Sequence, residues 1–316
     1  MTTEIATTTI TPEPAAAAKP ALDPRRHAFR DDIADANLWD KVEAATYVEG
    51  NSRVVTWPSL PVRRRPEAAV GFDTEALFGE TVRVFDERDG WAWVQLDADR
   101  YVGYVPSVAL AEPGLPATHR VHALGTFVYS AADIKTPPLA ALSLNARVAV
   151  TGSEERFSTL ASGGHVVTRH LTELAKPARD FVAVAERFLG TPYLWGGRSR
   201  LGLDCSALVQ LALDAAGIAG PRDTDMQQAE LGADLAVPRD LEGLQRGDLV
   251  FWPGHVGVMS DAVMMVHANG HHMVVAIEPL VSAARRIGRA GSEVSAIKRL
   301  DRLGADGGLD ITRSDD

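Results

Sequence analysis

Among its 316 residues the chain has one cysteine, Cys205, and the residues around it constrain the fold more than any other stretch. From Gly190 the sequence reads Gly-Thr-Pro-Tyr-Leu-Trp-Gly-Gly-Arg-Ser-Arg-Leu-Gly-Leu-Asp-Cys-Ser. This glycine-rich loop leads into Leu208, Leu211, Ala212 and Ala215 and is closed by Gly217. Apolar residues at that spacing, followed by glycine, predict a helix from near Asp204 to Gly217. A thiol in the first turn of a helix sits where unpaired backbone N–H groups favour an anion.

The helix alone does not make Cys205 a strong nucleophile. A free thiol has a pKa of about 8.5, and His-paired cysteines fall to ~3–4. The gap is roughly 6 kcal/mol at ~1.4 kcal/mol per unit, and a helix N-terminus supplies at most ~2 kcal/mol. An imidazole must supply most of the rest. His255, in Pro-Gly-His-Val-Gly-Val, opens one predicted strand, and His267, in Met-Met-Val-His-Ala-Asn, closes the next. The expectation is that Cys205 attacks, His255 is the base, and His267 orients His255 through a ring hydrogen bond, with Asn269 as the local competitor for that role.

Bulk properties exclude several classes. The net charge of −10 argues against nucleic-acid binding, and Arg63, Arg64 and Arg65 read as a solvated loop. One cysteine forms no intrachain disulfide and no cysteine-rich zinc site. The nine histidines include no His-Glu-x-x-His pair. Adjacent His271 and His272 do not change the expectation of no metal and no cofactor. No apolar run of ~18 residues reads as a membrane span. The opening residues, Met-Thr-Thr-Glu-Ile-Ala, do not have the pattern of a signal peptide, so the expected location is cytoplasmic.

Taken in order, residues 1–22 are rich in Thr, Ala and Pro and read as a flexible tail. Residues 23–50 read as a charged arm lying on another domain, with Phe29, Ile33, Leu38 and Trp39 irregularly spaced. Residues 51–114 show short strand-like runs with a turn at Arg88-Asp89-Gly90, the pattern of a small barrel. Residues 115–176 repeat that pattern with a turn at Gly163-Gly164, so a second barrel is expected. After Pro177, residues 180–189 place Phe181, Val184, Ala185 and Phe188 at helical spacing. The Cys205 helix follows, then strands at 249–252, 255–259, 263–267 and 273–277, an α+β order. Residues 301–316 read as a disordered tail.

Two resemblances sharpen this outline. The run Leu77-Phe78-Gly79-Glu80, Gly90-Trp91-Ala92-Trp93-Val94 and Tyr101-Val102-Gly103-Tyr104-Val105-Pro106 resembles a bacterial Src-homology-3-like domain, with Arg100 where glycine is usual. Thr191 to Gly197, Leu203-Asp204-Cys205-Ser206, Pro221-Arg222-Asp223-Thr224, Gly247 to Phe251 and His255-Val256-Gly257 resemble the NlpC-type cysteine peptidases, with Ala207 in place of the usual glycine. The resemblance implies a papain-like catalytic domain at 177–300, preceded by two small all-β barrels. It implies hydrolysis of the γ-D-glutamyl–diamino acid bond of murein peptides whose N-terminal L-alanine is free, in cell-wall peptide recycling. It also carries a substrate-amine site onto Asp204, Tyr193, Glu80 and Tyr101, with Ser206 adding a hydrogen bond. The backbone N–H of Cys205 is the expected oxyanion donor. Trp195 is expected to be a packing aromatic, and Arg222 and Asp248 to brace loops through ion pairs. A non-catalytic peptide-binding module, and an acyltransferase or amidase using the same thiol, stay open as alternatives.

Overall fold

The computed structural model describes residues 22–300. The tails expected at 1–22 and 301–316 lie outside the described residues, Leu22 excepted. The fold has few helices and many strands, in two all-β units followed by a helix-and-sheet unit.

The first all-β unit is a five-stranded antiparallel sheet in the order 102–106, 91–96, 81–88, 51–55, 110–111, closed over by a hairpin of Ser59–Val62 and Thr74–Leu77. Its core is Val55, Leu60, Val62, Val82, Val94 and Leu96, with Tyr101 at the rim. The Asp89-Gly90 turn has positive φ at both residues (52° and 78°), and Arg88 pairs directly with Trp91, as a tight hairpin requires. Arg100, where the resemblance led one to expect glycine, is held at φ 67°.

Residues 22–48 lie on this unit. Arg25 and Arg26 give backbone carbonyls to the Val102 N–H and the Gln95 amide. Ala28 and Ile33 pack with Phe85 and Trp93. The segment reaches the helix-and-sheet unit as well, through Arg25 on Asp223 and Asp225.

The second all-β unit, spanning strands from His119 to Glu173, contains a three-stranded and a five-stranded antiparallel sheet around Val121, Leu142, Val148, Leu160 and Val166. It meets the first unit at Gly79, where a Cβ would lie 1.9 Å from the Arg147 carbonyl oxygen. No side chain fits there.

The last unit contains four helices, α1 (Phe181–Glu186), α2 (Cys205–Ala215), α3 (Thr224–Glu230) and α4 (Leu280–Arg289). Its sheet runs in the order 233–235, 296–299, 249–252, 255–259, 264–269, 274–279, every pair antiparallel. Helix α2 is apolar nearly all round and is correspondingly buried on nearly every residue. On one side it packs on Val256, Val258, Val266, Ala268 and Val275 of the sheet; on the other it meets Leu77 and Leu144 from the two β units. The opposite face of the sheet packs Val250, Trp252, Met259 and Met265 under α4.

Polar contacts lock the first β unit to α2. Arg198, fully buried, pairs with Glu80 at 2.9 Å and donates to the Gln210 amide oxygen. Gln210 in turn donates to Asp99. The Arg222 guanidinium donates to the Thr74 hydroxyl at 2.7 Å.

Candidate active site

Three chain segments meet at Cys205. The Asp204 carboxylate accepts the Ala207 N–H and so caps α2, leaving Cys205 at its first position. The Cys205 N–H has no acceptor within the helix at that position. The second segment is the hairpin at Pro253-Gly254. Gly254 takes φ 73°, as the second central residue of a proline-led turn must, and Trp252 pairs with His255 across it. The sulfur lies 4.0 Å from the Gly254 carbonyl oxygen and accepts the Val256 N–H, so it reaches the backbone on both sides of His255. The third segment is the start of α3, whose Thr224 hydroxyl is 3.8 Å from the sulfur.

The histidines are joined as the sequence reading expected. His255 Nε2 and His267 Nδ1 are 2.9 Å apart. The His255 ring packs between Trp252 and His267. Beyond His267, Glu278 Oε1 lies 2.9 Å from Nε2, and Arg286 grips both oxygens of Glu278 at 2.7–2.8 Å. Asn269, the competitor considered for His255, instead accepts from His272. His267, His272 and Glu278 bring donor atoms within 4.8 Å of one another. The Arg286 fork already supplies the cation on Glu278, so the group reads as a hydrogen-bonded relay rather than a metal centre.

Burial acts on both members of the sulfur–imidazole couple. Burial pushes the Cys205 thiol up to about 11, helped by the Asp204 carboxylate. Burial also pulls the His255 imidazole down to about 3, helped by His267. A thiolate–imidazolium pair would need the reverse order. Both shifts oppose the charged forms, because the site strips water from both ions.

In front of the sulfur is a cavity of about 650 Å³, walled by the 22–30 segment, the first β unit and the catalytic unit. Of the sequence-predicted binding residues, Asp204, Ser206, Tyr193 and Tyr101 line it, and Glu80 does not. Glu80 is turned to Arg198 and the Leu77 N–H and is only 2% exposed, because it neutralises a buried guanidinium. Asp204 lines the cavity but its oxygens are committed: Arg222 takes both, and the N–H groups of Ala207 and Gly196 take one each. Ser206 also accepts from Arg222, so the expected loop brace holds the two neighbours of Cys205. Asp248 is braced by Arg299. Trp195, expected to be a packing residue, is 68% exposed on the cavity wall.

Asp223, which sequence reasoning quoted only as part of a motif, lines the cavity together with Asp73, Asp204 and Asp225. It precedes α3 without capping it by its side chain. Its Oδ2 accepts from the Tyr101 hydroxyl at 3.2 Å and from Arg25 at 2.9 Å. Burial raises its pKa, against the pull of Arg222 and Arg25. Asp223 beside a buried arginine and before a threonine was the visible signal; the missing information was which β-unit residue would face it.

A helix-borne thiol, a histidine pair and a β unit forming one wall of the cleft define a class, and comparison with known proteins agrees. Residues 190–284 match the NlpC/P60 family, and residues 62–110 match the bacterial dipeptidyl-peptidase SH3 domain; the chain belongs to the NlpC/P60 family. It is similar to dipeptidyl-peptidase 6 of Lysinibacillus sphaericus, at 27% identity over 59% of this chain and 66% of that one. It is also similar to the gamma-D-glutamyl-L-lysine dipeptidyl-peptidase of Bacillus subtilis, at 28% identity over 62% of this chain and 71% of that one. The crystal structure of an NlpC/P60 family protein from Bacillus cereus shares the fold, with a TM-score of 0.66 at 21% identity, covering 79% of this chain and 99% of that chain.

Proposed function

We propose that the chain is a cysteine peptidase that cleaves the γ-D-glutamyl–diamino acid bond of murein peptides bearing a free N-terminal L-alanine, and that it acts in the cytoplasm on peptides released from the wall. One observation carries the reading. The sulfur and the Asp223–Tyr101 pair line the same cavity, whose walls include the first β unit and the 22–30 segment. A half-buried carboxylate and a phenol oxygen are acceptors that an alkylammonium needs and an acylated nitrogen does not. The amine-binding role that the resemblance put on Asp204 passes to Asp223 and Tyr101. Asp204, Arg222 and Ser206 hold the floor, and Tyr193 and Trp195 offer apolar walls.

In this scheme Cys205 Sγ attacks the γ-carbonyl carbon while its proton passes to His255. The oxyanion forms against the free Cys205 N–H at the start of α2. His255 returns the proton to the leaving amine of the diamino acid. Water then opens the thioester with His255 as base, releasing L-Ala-D-Glu and the thiol. Residues 115–176 are read as a second SH3-like barrel. In both β units a 3₁₀ turn leads directly into a short final strand, at 107–111 in the first and 168–173 in the second.

The test is release of L-Ala-D-Glu from L-Ala-γ-D-Glu-diaminopimelate by purified, reduced protein, compared with the N-acetylated peptide. Folded protein that cleaves neither, or both equally, defeats the proposal. Product analysis with an added amine separates hydrolysis from acyl transfer.

A further inference from the structure

We infer that Glu278 is a positioning residue that fixes the tautomers of both histidines, so that the imidazole nitrogen left to face Cys205 is the one without a proton. The inference rests on reading Cys205 and His255 as nucleophile and base, and on nothing else about the substrate.

Glu278 sits on the strand Val274–Pro279, two residues from the partner of His267 across the ladder, which places it diagonally beside that ring. Burial opposes its ionisation, but hydrogen bonds from Arg286 and His267 outweigh this and hold the carboxyl below its usual range. An ionised carboxylate only accepts. His267 must therefore carry its proton on Nε2, 2.9 Å from Glu278. Burial keeps His267 neutral, with a pKa lowered to about 4, so its Nδ1 is a bare acceptor. The 2.9 Å contact between the rings then has one donor available, His255 Nε2–H. Neutral His255 with its proton on Nε2 has a lone pair on Nδ1, the only ring nitrogen left for the thiol proton.

Arg286 completes the device. Its two-point grip offsets the Glu278 charge, which would otherwise favour an imidazolium at His267. A charged His267 would donate from both nitrogens and force the wrong tautomer on His255. The other titratable groups at hand are His272, with Nδ1 4.0 Å from Glu278, and, around the sulfur, Asp204 with its partner Arg222.

The direct readout is long-range proton–nitrogen NMR of the two imidazoles in the full-length protein, which reports the protonated nitrogen without any substrate. Wild type is expected to show Nε2–H on both rings. Glu278→Ala is expected to move His267 toward Nδ1–H and to lower kcat about 10- to 100-fold, the ratio set by one charge-assisted hydrogen bond. KM stays within about twofold, and the acid limb of the kcat–pH profile shifts. Glu278→Gln, which still offers an oxygen to His267, is expected to keep the wild-type tautomers and most of kcat. Nδ1–H on His255 in the wild type overturns the inference, as does a Glu278→Ala protein with unchanged spectrum and kcat. Should the alanine variant not fold, the wild-type spectrum decides. Correct tautomers in a protein that cleaves no peptide would defeat the peptidase reading and leave this one standing.

Discussion

Replacing Glu80 by glutamine separates a binding role from a docking role. The carboxylate is buried, and its Oε2 accepts from Arg198 and from the Leu77 N–H. Arg198 is 1% exposed. Removing one partner of a buried pair costs about 3–5 kcal/mol, chiefly because the other charge is left unmatched. The low end applies here, because Arg198 keeps hydrogen bonds to Gln210 and to the Glu75 carbonyl. About 3 kcal/mol corresponds to a fall in Tm of roughly 6–9 °C at ~2–3 °C per kcal/mol for a chain of this size. The assay is calorimetric melting together with steady-state hydrolysis of the free-amine tripeptide well below the transition. KM is expected to stay within about twofold of wild type. The double variant Glu80→Gln with Arg198→Met is expected to recover part of the loss, since an apolar stem tolerates that site better than a lone cation. An unchanged Tm with KM raised tenfold or more would refute the argument and return Glu80 to the substrate.

Three further outcomes follow from the same geometry. Asp223→Asn keeps the shape but removes the charge facing the cavity; kcat/KM for the free-amine peptide should fall about 10- to 100-fold, as expected for a lost charge-assisted bond, with little change for the N-acetylated one in a competition assay. His255 and His267 are both held below the ordinary histidine pKa, to about 3 and about 4, by burial first. Their folded forms bind protons less readily than the unfolded chain, so their contribution is complete above pH ~6.5 and is lost as pH falls toward 4. Each is worth roughly 3 kcal/mol over that window at ~1.4 kcal/mol per unit, and melting from pH 7 to pH 4 should show the decline, flattened in His267→Asn. Arg100→Gly should raise Tm by a few degrees, since φ 67° strains a side-chain-bearing residue by about 1 kcal/mol; a lower Tm would mean that the arginine side chain outweighs that strain.

The catalytic line was readable because its parts are local. A capped helix start at Asp204, a Pro-Gly turn before His255 and an alternating strand ending near His267 are each written in a few consecutive residues, and the sheet register then brings the two rings to 2.9 Å. The Asp89-Gly90 hairpin and the glycine-like demand at Arg100 were legible for the same reason. Glu278 was not: eleven residues beyond His267 in an ordinary strand, it gains meaning only from the diagonal it occupies across the ladder. The different surroundings of Glu80 and Asp223 were equally hidden. Both are carboxylates beside a glycine-rich or arginine-containing motif, and nothing local says which one meets a buried guanidinium and which one meets a cavity.

Sequence by itself determined the elements and the chemical types they carry: a thiol at a helix start, two histidines on neighbouring strands, and an all-β unit ahead of them. Tertiary structure decided the pairings and the charge states. Arg198 claims Glu80, Arg222 claims Asp204, and Asp223 meets Arg25 and Tyr101 at the cleft. Burial pushes the Cys205 thiol up and the His255 imidazole down, against the charged form of each. The physical reason is that short-range backbone preferences act within a few residues, whereas desolvation and the partner of a buried charge depend on atoms brought together from 18 residues away for Arg222 and Asp204 and from 118 for Arg198 and Glu80.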